Sequence, residues 1–176
     1  MTIPTPQQIA TLPRWACVAL AAHCARQMYD ISFSSLFAPE YKNIVDEAIK
    51  LAENAAAHAC PPDGKTAAQL IDATCEVADA VFDIRPDDST VAFWEFRQKQ
   101  EAVAYTSEAA CFAVMATEYK EVAAHYAEKA VERFKLFLNT LEYLPKRLPG
   151  VRRLFETVEK YNMNDDSPVS FYVFYP

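Results

Sequence analysis

The stretch between Pro86 and Pro145 places the strongest constraint on the fold, because its 58 residues include neither proline nor glycine. As one helix it would be about 87 Å long, whereas a domain of 176 residues is only about 40 Å across. The stretch must therefore fold back on itself. We place the turn at Thr117–Lys120, where Thr117 is suited to cap a second helix that continues to Leu144. These residues predict a pair of antiparallel helices.

Prolines also separate the remaining segments, whose apolar residues recur every three or four positions. Thr5 and Gln8 form a capping-box pattern at a short first turn, and Asp63 is a suitable cap for a later helix. The other predicted helices span residues 13–29, 39–59, 63–85 and 150–161. The chain has only two glycines, which disfavours hairpins of strands. We predict an all-α fold with one domain over residues 1–176, built as a single-domain antiparallel helical bundle of about six helices.

The C-terminal residues 170–175 are rich in Phe, Tyr and Val, which favour extended structure. A tail this apolar is unfavourable when it is exposed to water. We therefore expect a short extended apolar C-terminal tail that packs back on the bundle. A further hypothesis is that the segment Phe171–Tyr175 joins copies of the chain into a homo-oligomer.

Composition and charge exclude several classes of partner. Apolar residues make up 52% of the chain and charged residues 23%, so we expect it to fold and to remain soluble. No apolar run reaches the roughly 20 residues that cross a bilayer, so we expect no membrane partner. The net charge of −7 argues against nucleic acid, since phosphate binding depends on clustered basic residues. Five scattered cysteines, and an apolar run after Arg14 that is too short for a secretory signal, favour a cytoplasmic protein.

Motifs for catalysis, metal binding and nucleotide binding are incomplete in this chain. The segment Gly64-Lys65-Thr66 is similar to the end of a P-loop, but Ala59 stands where that loop needs its first glycine. None of the three histidines has a glutamate three residues before it, as a di-metal helical bundle requires. A pairing of Cys111 with His125 across the helical hairpin stays open as a nucleophile and its base. We otherwise predict no catalytic residue, no metal site and no cofactor.

Four carboxylates recur at helical spacing in the predicted helix that follows Asp63. Because intervals of four, three and four residues return to the same face of a helix, these side chains share one stripe. Like charges at this spacing cost about 0.2–0.5 kcal/mol per pair, which a basic partner protein would offset. The alternative is a solvated face with ion pairs to Arg or Lys on a neighbouring helix. We call this set the acidic stripe; its members are Asp72, Glu76, Asp79 and Asp83.

Large aromatic residues in the helical pair suggest a second function. If their side chains converge between helices, they would line a pocket for a small molecule, which makes a ligand-binding or enzymatic bundle the alternative prediction. The simpler interpretation is that they are core residues. The set comprises Trp94, Tyr105, Phe112, Tyr119 and Tyr126.

A family resemblance lies in the first third of the chain and in the regular recurrence of alanine further along it. The residues that carry it are Leu12-Pro13-Arg14-Trp15-Ala16, Ala21-Ala22-His23-Cys24-Ala25-Arg26, Ala48-Ile49 and Leu51-Ala52-Glu53. In these segments the chain resembles the all-helical immunity proteins of bacterial polymorphic toxin systems. The resemblance implies a cytoplasmic protein that neutralises a toxin by binding it, without catalysis or a cofactor. The aromatic stretch Phe93–Phe96 and the Phe/Tyr tail depart from the pattern of that family.

Overall fold

The computed structural model describes residues 3–33, 37–85, 93–140 and 150–175. Within these residues it has seven α-helices, two 3-10 turns and no β-strand, which confirms the all-α prediction. Side chains from all seven helices meet in one hydrophobic core. In chain order the α-helices are α1 (Pro6–Ile9), α2 (Arg14–Ser32), α3 (Pro39–His58), α4 (Gly64–Ala80), α5 (Phe93–Glu118), α6 (Ala123–Thr140) and α7 (Val151–Lys160), and the 3-10 turns are Lys120–Val122 and Phe171–Phe174.

Helix α2 forms the centre of the bundle. Every residue from Trp15 to Ala25 is buried, including His23, and the helix packs against α3, α5 and α6. A helix that is apolar on all sides needs neighbours on all sides, which explains this central place. Its many alanines let the neighbouring helix axes approach closely. The helix continues three residues past its predicted end at Tyr29, to Ser32, whose buried hydroxyl donates to the Met28 carbonyl oxygen at 2.8 Å.

Helices α5 and α6 form the predicted antiparallel pair. The reversal lies between Glu118, where α5 ends, and Ala123, where α6 begins, as the length argument requires. The predicted role of Thr117 as a cap is wrong, because Thr117 lies buried in the last turn of α5, where its hydroxyl donates to the Val114 carbonyl oxygen at 2.7 Å. Threonine inside a helix commonly bonds back to the preceding turn in this way. The predicted continuation of α6 to Leu144 lies outside the described residues.

Helices α3 and α4 begin and end at local signals. Helix α3 starts at Pro39, whose fixed φ suits a first turn, and it ends at His58. The next residue, Ala59, takes a left-handed conformation with a φ of 50° that terminates the helix. The predicted cap of α4 is confirmed, since the Asp63 carboxylate accepts hydrogen bonds from the Thr66 backbone N–H and hydroxyl, both at 2.9 Å. These hydrogen bonds lower the pKa of Asp63. The buried residues of α4 are Ala67, Thr74, Val77 and Ala78.

The C-terminal tail packs back on the bundle, as predicted, but it is not extended. Residues Phe171–Phe174 form a 3-10 turn, in which residues three apart share a face. The turn therefore directs Phe171 and Phe174 to one side, and Phe174 is only 3% exposed. Its ring stacks on the ring of His23 in α2, with the centroids 4.0 Å apart. Burial of this aromatic ring outweighs the local preference of the tail for extended backbone.

The segment before this turn also ties the C-terminus to the bundle. The Asp165 carboxylate accepts a hydrogen bond at 3.0 Å from the backbone N–H of Arg14, the first residue of α2. The Asp165 carboxylate therefore caps α2, because Pro13 at the N-cap position has no side-chain oxygen that could do so. The backbone N–H of Val169 donates to the Ala56 carbonyl oxygen in α3 at 2.8 Å. The C-terminal segment is therefore hydrogen-bonded to both α2 and α3.

Candidate functional site

Three members of the acidic stripe, Asp72, Glu76 and Asp79, lie on the solvent-facing side of α4, away from the buried residues of that helix. The predicted continuation of the helix to residue 85 is wrong, because α4 ends at Ala80 and Asp83 lies in the turn that follows. All four carboxylates are exposed. None of them forms an ion pair with a cation in the parts of the chain that the structure describes, so the ion pairs required by the solvated-face interpretation are not seen there. Five acidic and only two basic residues lie at positions 63–85. This surface therefore carries a net negative charge.

Repulsion within the stripe is offset by the rest of the helix. Side chains three or four residues apart on a helix are neighbours, about 5–6 Å apart at Cβ, and each like-charged pair destabilises the helix by about 0.2–0.5 kcal/mol. Helix α4 forms nevertheless because its opposite face is buried against α3 and α5 and because Asp63 caps its start. The stripe is thus a concentration of accessible negative charge that is suited to attract cationic groups.

A second charged cluster, which no sequence pattern predicts, joins α2 to α3. The Arg26 guanidinium donates two hydrogen bonds to the Glu53 carboxylate, at 2.9 and 3.0 Å, and one to the Asp46 carboxylate at 2.6 Å. Lys50 pairs with the second oxygen of Asp46 at 2.7 Å. The Arg26 side chain is only 16% exposed. In this Arg26 cluster, unlike the acidic stripe, the carboxylates are paired with cations from the bundle itself.

Contacts within the Arg26 cluster favour the charged forms of Arg26 and Asp46. Burial alone would raise the pKa of the Asp46 carboxyl, but hydrogen bonds from Arg26 and Lys50 outweigh burial and lower that pKa below its usual range. Burial alone would lower the pKa of the Arg26 guanidinium, but its hydrogen bonds to Glu53 and Asp46 raise it. The partners lie 20 and 27 residues apart in the chain, so only the packing of α2 on α3 brings them together.

Three of the five aromatic residues that were predicted to line a pocket meet at the surface of α5 and α6. The rings of Phe112 and Tyr126 stack with centroids 6.3 Å apart, and the Tyr119 ring lies 6.2 Å from that of Tyr126. Tyr119 is 53% exposed. Tyr105 is half-buried two turns earlier on α5, where burial raises its pKa. The side chain of Trp94 lies outside the described residues.

Two surface grooves in the described part of the chain are lined by residues other than the four described aromatic ones. The first, of about 470 Å³, lies between the second half of α3 and the start of α4. One of its lining residues is His58, whose Nδ1 lies 2.9 Å from the Asn54 carbonyl oxygen of the same helix. The second groove, of about 300 Å³, lies between α7 and the tail turn. A small-molecule pocket built from the predicted aromatic residues therefore stays a prediction.

The Cys111 thiol contacts a residue that the sequence did not suggest. Its Sγ lies 3.6 Å from that of Cys75 on α4, whereas His125 is exposed on α6 beside Tyr126. Burial, with a contribution from Cys75, raises the pKa of the Cys111 thiol to about 12, so it is protonated at neutral pH. Among the described side chains, no group of three or more His, Cys, Asp or Glu is arranged to hold a metal ion.

Among the described residues, no helix has both the length and the apolar character needed to cross a membrane. Comparisons of the chain with protein-family models, with curated proteins and with solved structures found no match. Most of the residues that carry the resemblance to immunity proteins have a packing role, since Trp15, Ala16 and residues 21–25 are buried in α2, and Ala48 and Ile49 are buried in α3. Arg26 and Glu53, which also carry it, pair with each other in the Arg26 cluster. The resemblance therefore concerns helix packing and brings no binding residue with it.

Proposed function

We propose that this protein is a non-enzymatic binding module that recognises a basic partner protein through the acidic stripe. One observation carries most of the weight: the four carboxylates are exposed, three of them on one face of α4 and Asp83 in the turn that follows, and none of them pairs with a described cation. The Arg26 cluster demonstrates that this bundle does supply cations to carboxylates where the pairing joins helices. A partner that brings its own Lys and Arg side chains would neutralise the stripe and gain charge complementarity.

Charge complementarity predicts how such binding behaves. Attraction between the stripe and a basic surface speeds encounter, and affinity falls as salt screens charges beyond about 8 Å at physiological ionic strength. Solvated ion pairs contribute little energy each, so apolar contacts beside the stripe must add affinity. Phe82, which follows α4 and is partly exposed beneath the Arg97 guanidinium at 4.5 Å, is one side chain placed to do so.

The class of partner follows from the family resemblance. Because the resembled immunity proteins neutralise toxins by binding them, we take a basic toxin as the partner and the cytoplasm as the location. This function needs neither a catalytic residue nor a cofactor. The toxin would contact α4 and the turn that follows it, since these carry the acidic stripe.

A matched pair of variants tests the stripe directly. The stripe variant converts its four carboxylates to amides, D72N/E76Q/D79N/D83N. The control variant removes the same charge from exposed acids on other elements, E47Q/E121Q/E159Q/D166N. Binding of a fluorescent lysine-rich peptide is measured by anisotropy over a series of salt concentrations. We expect the stripe variant to bind more weakly and to lose most of the salt dependence, whereas the control keeps most of both.

Two outcomes of this experiment would refute a site on α4. Equal losses of affinity in the stripe and control variants would mean that only net charge matters. Unchanged affinity in the stripe variant would mean that the peptide binds elsewhere.

The same variants identify the natural partner. Each protein is immobilised and exposed to a lysate of the source cells, and the captured proteins are identified by mass spectrometry. The proposed partner is basic, is captured by the wild type and by the control variant, is lost with the stripe variant and is released by salt. A toxin partner should also lose its toxicity when wild-type protein is added. If the stripe variant captures the partner as well as the wild type does, the partner binds to another surface.

A further inference from the structure

Two cysteines on neighbouring helices have their sulfur atoms in contact. The Sγ atoms of Cys75 on α4 and Cys111 on α5 lie 3.6 Å apart, and both are free thiols. Cys75 is exposed, whereas Cys111 is 2% exposed. All five cysteines belong to the described residues, and this is the one contact between two of them. The pair thus joins a thiol that solvent reaches to one that solvent does not reach.

Small residues explain why the two helices come close enough for this contact. Cys75 lies at the edge of the buried face of α4, between Thr74 and the acidic stripe. Alanines 109, 110 and 113 surround Cys111 on the buried side of α5, so no bulky side chain separates the helices there. The Cys111 thiol also donates to the Ile71 carbonyl oxygen at 3.9 Å, one turn before Cys75. The Cys111 sulfur is therefore held against the turn of α4 that carries Cys75.

We infer that Cys75 and Cys111 form a reversible disulfide when the protein meets hydrogen peroxide. The Cys75 sulfur attacks first, because it is the one that solvent reaches. An S–O bond forms as the O–O bond of the peroxide breaks, which gives a sulfenic acid on Cys75 and one water.

The second step closes the disulfide and balances the reaction. The Cys111 sulfur attacks the Cys75 sulfur, the S–S bond forms and the S–O bond breaks. The hydroxyl leaves with the Cys111 proton as a second water. The two thiols lose two electrons and two protons in total, and the peroxide is reduced to two waters. A dithiol reductant restores both thiols by exchange.

Burial assigns the order of the two cysteines. The raised pKa of Cys111 keeps it protonated at neutral pH, which makes it a poor first nucleophile. It is suited to the second step, because contact with Cys75 replaces a search by diffusion with an intramolecular reaction.

The disulfide would join α4 to α5 between residues 36 positions apart in the chain. Closing a loop of that length restricts the unfolded chain and raises the folding equilibrium constant by a factor on the order of several hundred. Because Cys75 lies beside the acidic stripe, oxidation would also fasten the proposed binding face to the core. The inference does not depend on that function, since the thiols are in contact whatever binds to α4.

The test uses the full-length protein, first reduced and then exposed to hydrogen peroxide. Remaining thiols are alkylated in denaturant, and the protein is digested with trypsin. The digest places Cys75 and Cys111 on separate peptides, 66–97 and 100–120, because Pro86 prevents cleavage after Arg85. We expect a disulfide-linked pair of these peptides that disappears with dithiothreitol, together with a higher urea midpoint for the oxidised protein.

Two serine variants make the test specific. Cys75→Ser, at an exposed position, should abolish both the linked peptides and the shift in midpoint, whereas Cys60→Ser, at the other exposed cysteine, should leave both unchanged. The inference is overturned if Cys75 is converted to a sulfinic acid while Cys111 is still alkylated. It is also overturned if Cys75 links two copies of the chain, or if the link requires Cys60.

Discussion

Replacing Gly150 by alanine tests how the C-terminal tail is held. Gly150 precedes α7 with a φ of +74°, a left-handed conformation that costs a residue with a Cβ about 1–2 kcal/mol. A Cβ at this position would lie 2.4 Å from the carbonyl oxygen and 2.5 Å from the Cα of Phe174. Both are backbone atoms, so no side-chain rotation relieves the clash, and the tail turn must move.

Movement of the turn withdraws Phe174 from the core, where its ring stacks on His23. Exposing a buried Phe costs about 1.5–3 kcal/mol. Together with the backbone strain, Gly150→Ala should lower the free energy of unfolding by about 2.5–5 kcal/mol, a large part of the about 5–15 kcal/mol typical of a domain. At an m-value of about 2 kcal/mol/M, the urea midpoint would fall by about 1–2.5 M.

Urea denaturation followed by circular dichroism separates the two contributions. In a chain that lacks residues 171–176 the clash is absent, so Gly150→Ala should cost only the backbone strain of about 1–2 kcal/mol. Gly64→Ala is the matched control, because its Cβ would lie at an ordinary 3.5 Å from the Glu118 carboxylate. That variant should be neutral or more stable by up to about 1 kcal/mol. An equal loss from Gly150→Ala with and without the tail would refute the packing of Phe174 against Gly150.

Three further predictions concern charged residues. Arg26→Met should lower the free energy of unfolding, measured in urea, by about 1.5–3 kcal/mol, because Asp46 and Glu53 lose their shared cation. Arg152→Met, which removes an exposed ion pair, should lower it by less than about 1 kcal/mol. Equal losses in the two variants would contradict a stabilising role of the Arg26 cluster. The pKa values of Asp46 and Asp165 are lowered by folding, so their stabilisation is complete above an unfolded pKa of about 4 and disappears as the pH falls through the folded values. Urea midpoints should therefore decrease in acid, and less steeply for Asp165→Asn. The stripe variant should be more stable than the wild type by about 0.4–1 kcal/mol in the same assay, because two like-charged pairs within α4 are removed, and a loss of stability would reveal ion pairs at the stripe.

Local signals account for the parts of the fold and of the candidate site that the sequence predicts. The proline boundaries, the Asp63 cap and the reversal after Glu118 each depend on residues within a few positions of one another or on the length of an uninterrupted segment. The shared face of Asp72, Glu76 and Asp79 follows in the same way from helical periodicity, whereas Asp83 lies beyond the end of α4. Periodicity does not tell whether a cation from another helix reaches that face, and the tertiary structure was needed to find the four carboxylates without a described partner.

Tertiary structure alone decided the contacts between residues far apart in the chain. The Arg26 cluster, the contact between Cys75 and Cys111, and the cap that Asp165 provides for α2 join residues separated by 27, 36 and 151 positions. The tail turn also departs from its local β preference because Phe174 gains more from burial against α2. Each outcome depends on which helix faces pack together, and that choice minimises the exposed apolar surface of the whole chain rather than of any one segment.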